Sequence, residues 1–495
     1  MIGRLLRHAS HYSVGTLLVT LAGFISFPLL TRALTVEEYG VLGALSGTLT
    51  LLVGLGKLGL QNAVLRFQPE AETGHLASRA AFNATVVWGM AASGLLVALG
   101  WIALASWVPG PWRHDPLVAG LPLLLAPLVV VRVLDSGLSN MLRAQQRSLA
   151  LSAYQVVKRY ASLAIVLGLV LGLAHGLRGF YLGSFAAELL TLLALGACLL
   201  RRSLWSPRHF SGPLWRSMAA FGLPMIAYEL AGNLLAVGDR YVIGAVLGAE
   251  ALGGYAAAYN LCEYVQAIAL ASVAQALVPI YARLWEDHGP AQTAEFLGRA
   301  LHAYAILGTY VVVAMCVAGP DLLTLAASGK YRDGASVIPW VVAGMVLDVS
   351  SNLLGAGLFL QKRTRTIMAM VVVCAIVNLL LNLVLVPLLG TRGAAVATLL
   401  SYALLCALSA WLGRRVLPLR IDGMHLLKLC AVGTVAALLP LSLGLPAGWW
   451  PALLKLAAAT ACFALLLLAS DREARRALGL LRARLPRPGL LGRTG

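Results

Sequence analysis

Apolar residues fill this chain in blocks of about 20, and polar positions gather between the blocks instead of alternating within them. A helix of ~20 apolar residues crosses a hydrocarbon core of about 30 Å, so each block predicts a membrane-spanning helix. About fourteen spans follow from that criterion. They lie at 12–31, 41–60, 81–107, 117–138, 149–173, 180–200, 217–239, 251–281, 299–318, 336–360, 367–388, 393–413, 424–444 and 451–469. The longer ones must tilt, kink or include interfacial turns. Pro28, Pro122, Pro127, Pro224 and Pro279 fall inside or beside spans, where neighbouring helices rescue the freed backbone groups. Alternating ten-residue strands are absent, which argues against a lipid-embedded barrel. The predicted class is an all-α polytopic membrane protein.

The pattern also repeats. Leu134-Asp135 is echoed by Leu347-Asp348, and Arg178-Gly179 by Arg392-Gly393. Gln145 and Arg147 are echoed by Gln361 and Arg363, and Leu34, Glu37 and Gly40 by Leu247, Glu250 and Gly253. The offset is about 213 positions and the order is kept. Two six-helix lobes are therefore expected, 1–205 and 212–415, followed by two additional helices at 424–469 and a basic tail at 470–495. Six spans per repeat keep both lobes in the same orientation, so the pseudo-twofold axis should lie along the membrane normal. Membrane proteins built this way work by rocking one half against the other, which points to a transporter.

Composition narrows the class further. Residues are 60% hydrophobic and 12% charged, with mean hydropathy +0.83. Soluble domains carry about 25% charged residues, so a soluble reading fails. The net charge of +18 is mostly a topology signal. With the N-terminus inside, inner segments hold about 25 Lys/Arg and outer loops about 7. The inner set includes Arg4, Arg7, Arg143, Arg147, Arg201, Arg202, Lys362, Arg363, Arg365, Arg414, Arg415 and the tail from Arg472 to Arg493. The outer charges are scattered, as at Arg32, Arg113, Arg178 and Arg392. Both termini are thus expected in the cytoplasm. Orientation and contact with anionic headgroups account for the basicity, so no nucleic-acid partner is expected. Trp101, Trp107, Trp112, Trp205, Trp215, Trp449 and Trp450 sit near span ends and read as interfacial anchors. The first apolar run continues past signal length without a cleavage motif, so no cleavable signal is expected. The seven cysteines are isolated in apolar segments and read as small hydrophobes.

The connections leave no room for a soluble catalytic domain, since the longest inner ones run about 15–20 residues. No HExxH, no P-loop and no carboxylate cluster with ligand spacing is present. No catalytic residue, metal site or cofactor is predicted, and an ATP-driven pump is disfavoured.

Charges at membrane depth carry the functional argument, because they are costly and face a cavity or a partner. Lys57, Arg132, Lys158 and Arg159 are expected as a basic substrate-binding cavity open to the cytoplasm. The last three lie about 10–15 Å in from the cytoplasmic helix ends, and Lys57 is shallower. Such a pocket suits a phosphate or diphosphate headgroup. The alternative pairs Arg132 with Asp135 at i,i+3 and lets Lys57 and Lys158 snorkel. Glu188, Glu229, Glu263 and Asp348 form an acidic set suited to H⁺ or Na⁺ coupling, or else to ion pairs with these cations. Asp239-Arg240 reads as a structural pair or cap near the outer end of its span. Glu37 and Glu38 read as a turn and a helix start, where carboxylates suit the dipole. Gly54-Leu55-Gly56 and Gly253-Gly254 read as close helix packing.

At these residues a family resemblance emerges. Pro28-Leu29-Leu30-Thr31-Arg32-Ala33-Leu34-Thr35-Val36-Glu37-Glu38-Tyr39-Gly40 resembles the first-to-second-helix signature of bacterial polysaccharide-biosynthesis membrane proteins. Leu58-Gly59-Leu60 with Arg66-Phe67 resembles the segment that follows. Phe221-Gly222-Leu223-Pro224, Asp239-Arg240-Tyr241-Val242-Ile243-Gly244 and Gly253-Gly254-Tyr255 resemble the opening of their second half. The likeness covers about 1–415. It is to the polysaccharide transporter branch, including Wzx-type O-antigen flippases, of the multidrug/oligosaccharidyl-lipid/polysaccharide exporter superfamily.

The resemblance implies a V-shaped two-lobe flippase in the bacterial inner membrane. Such a protein moves an undecaprenyl-diphosphate-linked oligosaccharide from the cytoplasmic to the periplasmic leaflet. The partners expected are that lipid-linked glycan, membrane lipids and polysaccharide polymerase machinery. The alternatives are a cation-coupled drug or metabolite exporter of the same superfamily and, further off, a membrane glycan ligase.

Overall fold

A computed structural model describes residues 2–72, 78–107, 120–172, 176–199, 206–419, 422–446, 448–471 and 475. Every regular element among them is helical. Trp112, Arg113, Arg201, Arg202, Trp205 and the tail from position 472 on, apart from Arg475, lie outside the described residues, as do the side chains of Arg4, Arg7 and Trp107.

The first half contributes α1 (Ile2–Ala33), α2 (Val36–Lys57), α3 (Leu60–Glu72), α4 (Arg79–Trp107), α5 (Leu121–Ala144), α6 (Ser148–Leu167) and α7 (Gly176–Leu199). Then come α8 (Gly212–Val246), α9 (Gly248–Val265), α10 (Ser272–Ala327), α11 (Ile338–Leu354), the short α12 (Ala356–Leu360), α13 (Thr364–Leu389) and α14 (Thr391–Gly413). The last pair is α15 (Gly423–Leu441) and α16 (Trp449–Ser470).

Among the described residues twelve stretches are long and apolar enough to cross a membrane, and α8 is a thirteenth, bent by 45° beside position 224, a proline in the sequence. One of the twelve, Gly248–Ala327, has 80 residues. An unbroken helix of that length would run about 120 Å, four times the hydrocarbon thickness. It leaves helical geometry at Gly289 (φ 75°, ψ −172°), so the chain turns there and crosses twice. That gives about fourteen crossings, as the apolar blocks predict.

The neighbour relations repeat with the sequence. Counting spans, the first packs on the fifth (α1 on α6), the third on the fourth (α4 on α5), and the fourth and fifth both pack on the sixth (α5 and α6 on α7). The same relations recur six spans later. There α8 packs on α13, α10 on α11, and α11 and α13 both pack on α14. The final pair, α15 and α16, packs on α10.

The halves meet through a reciprocal contact between α2 and α9. A Cβ on Gly40 would lie 2.0 Å from the Ala249 carbonyl oxygen, and a Cβ on Gly253 would lie 1.9 Å from the Val36 carbonyl oxygen. Gly40 and Gly253 are echoes of each other, and Val36 and Ala249 share the same offset of 213 positions. Each half therefore offers the same surface to the other, as at an isologous dimer interface. Only glycine lets the backbones come this close. The entry to α2 is fixed by a capping box. Thr35 N–H donates to Glu38 Oε2 at 2.8 Å, and Glu38 N–H donates to Thr35 Oγ1 at 3.1 Å. At the other end of α2 the seam closes again, where a Cβ on Gly59 (φ 67°) would meet the Gly222 carbonyl oxygen at 2.1 Å.

Aromatic and polar contacts also cross between the halves. Tyr39 stacks edge-on against Tyr331 and accepts a hydrogen bond from Asn260 Nδ2 at 2.8 Å. Tyr241 donates to Thr48 at 3.1 Å, and Arg32 donates to the Leu325 carbonyl at 3.0 Å.

Candidate functional site

The charged residues singled out in the sequence fall into three settings. The first lies within the first bundle. Arg132 on α5 grips Glu188 on α7 with two nitrogens, Nη2 at 2.7 Å and Nε at 2.9 Å. This forked geometry is the strong form of the pair. Lys158 on α6 donates to Asp135 Oδ2 at 2.7 Å, and Tyr154 donates to the other oxygen of Asp135. Tyr154 also lies beside Thr191 and within range of the Glu188 charge. The two pairs thus form one polar cluster spanning α5, α6 and α7. Arg132 keeps 33% of its side chain exposed and Glu188 only 8%.

The second setting is the seam. Lys57, in the last turn of α2, donates to Glu229 Oε1 on α8 at 2.9 Å, and Gln61 Nε2 of α3 donates to the other oxygen at 2.6 Å. This bridge ties the two halves together. Arg159 on α6 reaches the seam elsewhere. A Cβ on Gly23 of α1 would meet both Arg159 Nη2, at 3.3 Å, and the Tyr264 ring of α9, at 2.8 Å. Among the described residues no carboxylate lies within ion-pair distance of Arg159.

The third setting is the second bundle. Asp239 and Arg240 are both buried within α8. Asp239 accepts from the Tyr255 hydroxyl, from Thr398 Oγ1 at 3.4 Å and from the Arg240 backbone N–H at 2.8 Å. The Arg240 guanidinium lies over the Tyr259 ring at 5.3 Å and 3.7 Å from Glu263, whose side chain is 46% exposed. Asp348 on α11 accepts from Gln266 Nε2 at 3.5 Å, with no cation in ion-pair range among the described residues.

Several expectations change. Arg132 pairs with Glu188, not with Asp135 at i,i+3, because Lys158 from the next helix already occupies Asp135. Lys57 and Lys158 do not snorkel; each ends on a carboxylate of another helix. Asp239-Arg240 is not a helix cap but the centre of a buried network inside its own half. Gln61 and Tyr154 also belong to these clusters. Gln61 lies just past a predicted span end and Tyr154 reads as an apolar ring, so only helix packing reveals them.

Comparison with known proteins then places the fold. A family described as polysaccharide biosynthesis protein matches residues 5–285, and one described as MatE matches 224–384. The succinoglycan biosynthesis transport protein ExoT of Rhizobium meliloti (strain 1021) is 25% identical over 267 residues, 53% of this chain and 51% of that protein. The aligned stretch thus spans about half the length of that relative. The amylovoran biosynthesis protein AmsL of Erwinia amylovora is 20% identical over 278 residues, covering 55% of this chain and 70% of that one. Among solved structures, the lipid II flippase MurJ in an inward closed conformation superposes with a TM-score of 0.76 at 12% identity, over 94% of this chain and 99% of that one. An inward-facing multidrug resistance MATE family transporter gives 0.65 at 15% identity, over 83% and 96%. At such identities the structural likeness speaks for the fold alone.

Proposed function

Because the chain belongs to the polysaccharide biosynthesis protein family, we propose that it is a flippase that carries an undecaprenyl-diphosphate-linked oligosaccharide from the cytoplasmic to the periplasmic leaflet of the bacterial inner membrane. It is a multi-pass membrane transporter and not an enzyme. The lobes are 1–205 and 212–415, the additional pair is 424–469, and the basic tail is 470–495. Both termini face the cytoplasm, supported by the surplus of Lys/Arg on that side.

The observation that carries this reading is the seam. Two like halves meet on a reciprocal glycine contact, and two cations reach the boundary away from it, Lys57 at the opposite end of α2 and Arg159 beside Gly23 and Tyr264. In one state the diphosphate enters from the cytoplasm, and Lys57 exchanges Glu229 for a phosphate oxygen. Arg159, with no acid in ion-pair range among the described residues, supplies a fixed positive charge. Arg132 and Lys158 hold the electrostatic background through their partly exposed heads. The glycan crosses between the lobes while the polyprenyl tail stays in lipid, so no bare headgroup enters hydrocarbon. The acidic set offers coupling by H⁺ or Na⁺. Asp348 is the leading member, because it lacks a cationic partner among the described residues and is thereby open to exchange.

Reconstituted vesicles carrying undecaprenyl-diphosphate-linked glycan in the outer leaflet test the reading. Purified protein should shield a growing share of the glycan from a membrane-impermeant lectin. Equal shielding in protein-free vesicles contradicts it. The second reading, a small-molecule exporter, draws on the MatE match over 224–384 and predicts extrusion of organic cations in the same vesicles.

A further inference from the structure

The additional helices α15 and α16 are held to α10 by polar contacts at both ends and in the middle. Lys455 Nζ donates to Asp321 Oδ2 at 3.1 Å at one end, and Tyr310 meets Thr460 at 3.0 Å near the centre. At the other end three side chains from three helices converge. His302 comes from α10, His425 from the first turn of α15, and Asp471 caps the C-terminus of α16. His302 Nε2 lies 3.1 Å from Asp471 Oδ2, and His425 Nδ1 lies 3.5 Å from the same oxygen. The three ligand-capable atoms all fall within 4.8 Å of one another.

We infer that His302, His425 and Asp471 form a binding site for a divalent transition-metal ion of the Zn²⁺ type, which staples α15 and α16 to α10. Three observations carry this. The first is ligand chemistry. Two imidazoles and one carboxylate are the donor set that suits zinc and its first-row neighbours, with a fourth position left for water. The second is spacing. Ligands at 2.0–2.2 Å around a tetrahedral ion stand about 3.3 Å apart, and the two nitrogen-to-oxygen distances bracket that value. The third is electrostatics. The Asp471 carboxylate is 5% exposed and sits at a helix C-terminus, where the helix already presents partial negative charge. A dication held by this carboxylate and the two rings is favoured in that setting. The rings now lie nearly parallel, with centroids 3.9 Å apart, so binding requires one to turn about its Cβ–Cγ bond to bring both lone pairs to a common point. The consequence is mechanical: with the Lys455–Asp321 pair at the far end, α15 and α16 move with α10 as one body. This site is independent of the substrate that the central seam carries.

The test uses the full chain purified in detergent, stripped with a chelator and then titrated with Zn²⁺ or Co²⁺. Wild type should retain about one tightly held ion per chain. Its Co²⁺ form should show the absorption of a four-coordinate site, and Zn²⁺ should raise its thermal midpoint. His302→Gln and His425→Gln keep a polar side chain of similar reach. Each should lose the ion, the absorption band and the Zn²⁺-dependent shift while eluting as monodisperse protein. Asp471→Asn serves as a third ligand variant if either histidine variant aggregates. Metal content that is equal in wild type and variants, or absent from wild type, overturns the inference and leaves a staple of hydrogen bonds alone.

Discussion

The first bundle and the seam treat positive charge differently. Inside the bundle, Arg132 and Lys158 each end on an acid from the same half, and Tyr154 joins the two pairs. At the seam, Lys57 reaches across to an acid of the other half and Arg159 meets none among the described residues. A pair within one rigid bundle survives any rocking of the halves. A pair across the boundary is broken or made by it. On the proposed reading, the first arrangement stores charge and the second changes as the halves move.

The sharpest way to break this comparison is to hold the seam open. Gly40→Ala puts a methyl 2.0 Å from the Ala249 carbonyl oxygen, so α2 and α9 must part by more than an ångström. In an ordinary helix this change helps by about 1 kcal/mol. Here transport should fall at least about tenfold, and cysteines placed along this contact should lose their cross-linking. Gly253→Ala should do the same, since it meets Val36 through the mirrored contact. Unchanged cross-linking in both variants would show that the seam does not depend on these glycines.

A bundle pair should fail differently. Glu188→Gln leaves the Arg132 guanidinium without its carboxylate. Removing one partner of a fully buried pair costs ~3–5 kcal/mol, and the one-third exposure of Arg132 lowers that to roughly 2 kcal/mol. The expected signature is a lower thermal midpoint in detergent, with seam cross-linking preserved. A midpoint equal to wild type would remove this pair from the scaffold.

The Lys57–Glu229 bridge should show a milder, reciprocal effect. Lys57→Glu or Glu229→Lys alone places like charges together and should reduce transport several-fold. The double exchange should restore seam closure measured by cross-linking. It should not restore full transport, because the cation then stands on the wrong half for the substrate. Full recovery of both would make the bridge a latch with no part in substrate binding. The smallest effect is expected at Asp348. Asp348→Asn should leave binding intact and flatten the response of transport to an imposed proton or sodium gradient. An undiminished response would exclude it as the coupling group.

Much of the fold was legible because a bilayer imposes one length on every span. The 213-position repeat even marked Gly40 and Gly253, which then proved to face one another's helices. The partners of the charges were less legible. Asp135 is three residues from Arg132 on one helix, yet helix rotation gives Asp135 to Lys158 and Arg132 to Glu188, 56 positions away. The partner of Glu263 is not legible either, because Arg240 adjoins Asp239 in the sequence and lies 23 positions from Glu263. The His302, His425 and Asp471 cluster left no trace in spacing, since each residue sits on a separate helix.

The most direct test of the central claim is leaflet-resolved accumulation of undecaprenyl-diphosphate-linked glycan in cells depleted of this protein. Glycan should build up on the cytoplasmic leaflet. Wild type should clear it, and a Lys57→Gln, Arg132→Gln, Lys158→Gln triple variant present at equal level should not. Clearance by the variant would contradict the role given to these cations. Normal export after depletion, in cells without a second flippase, would contradict the function itself.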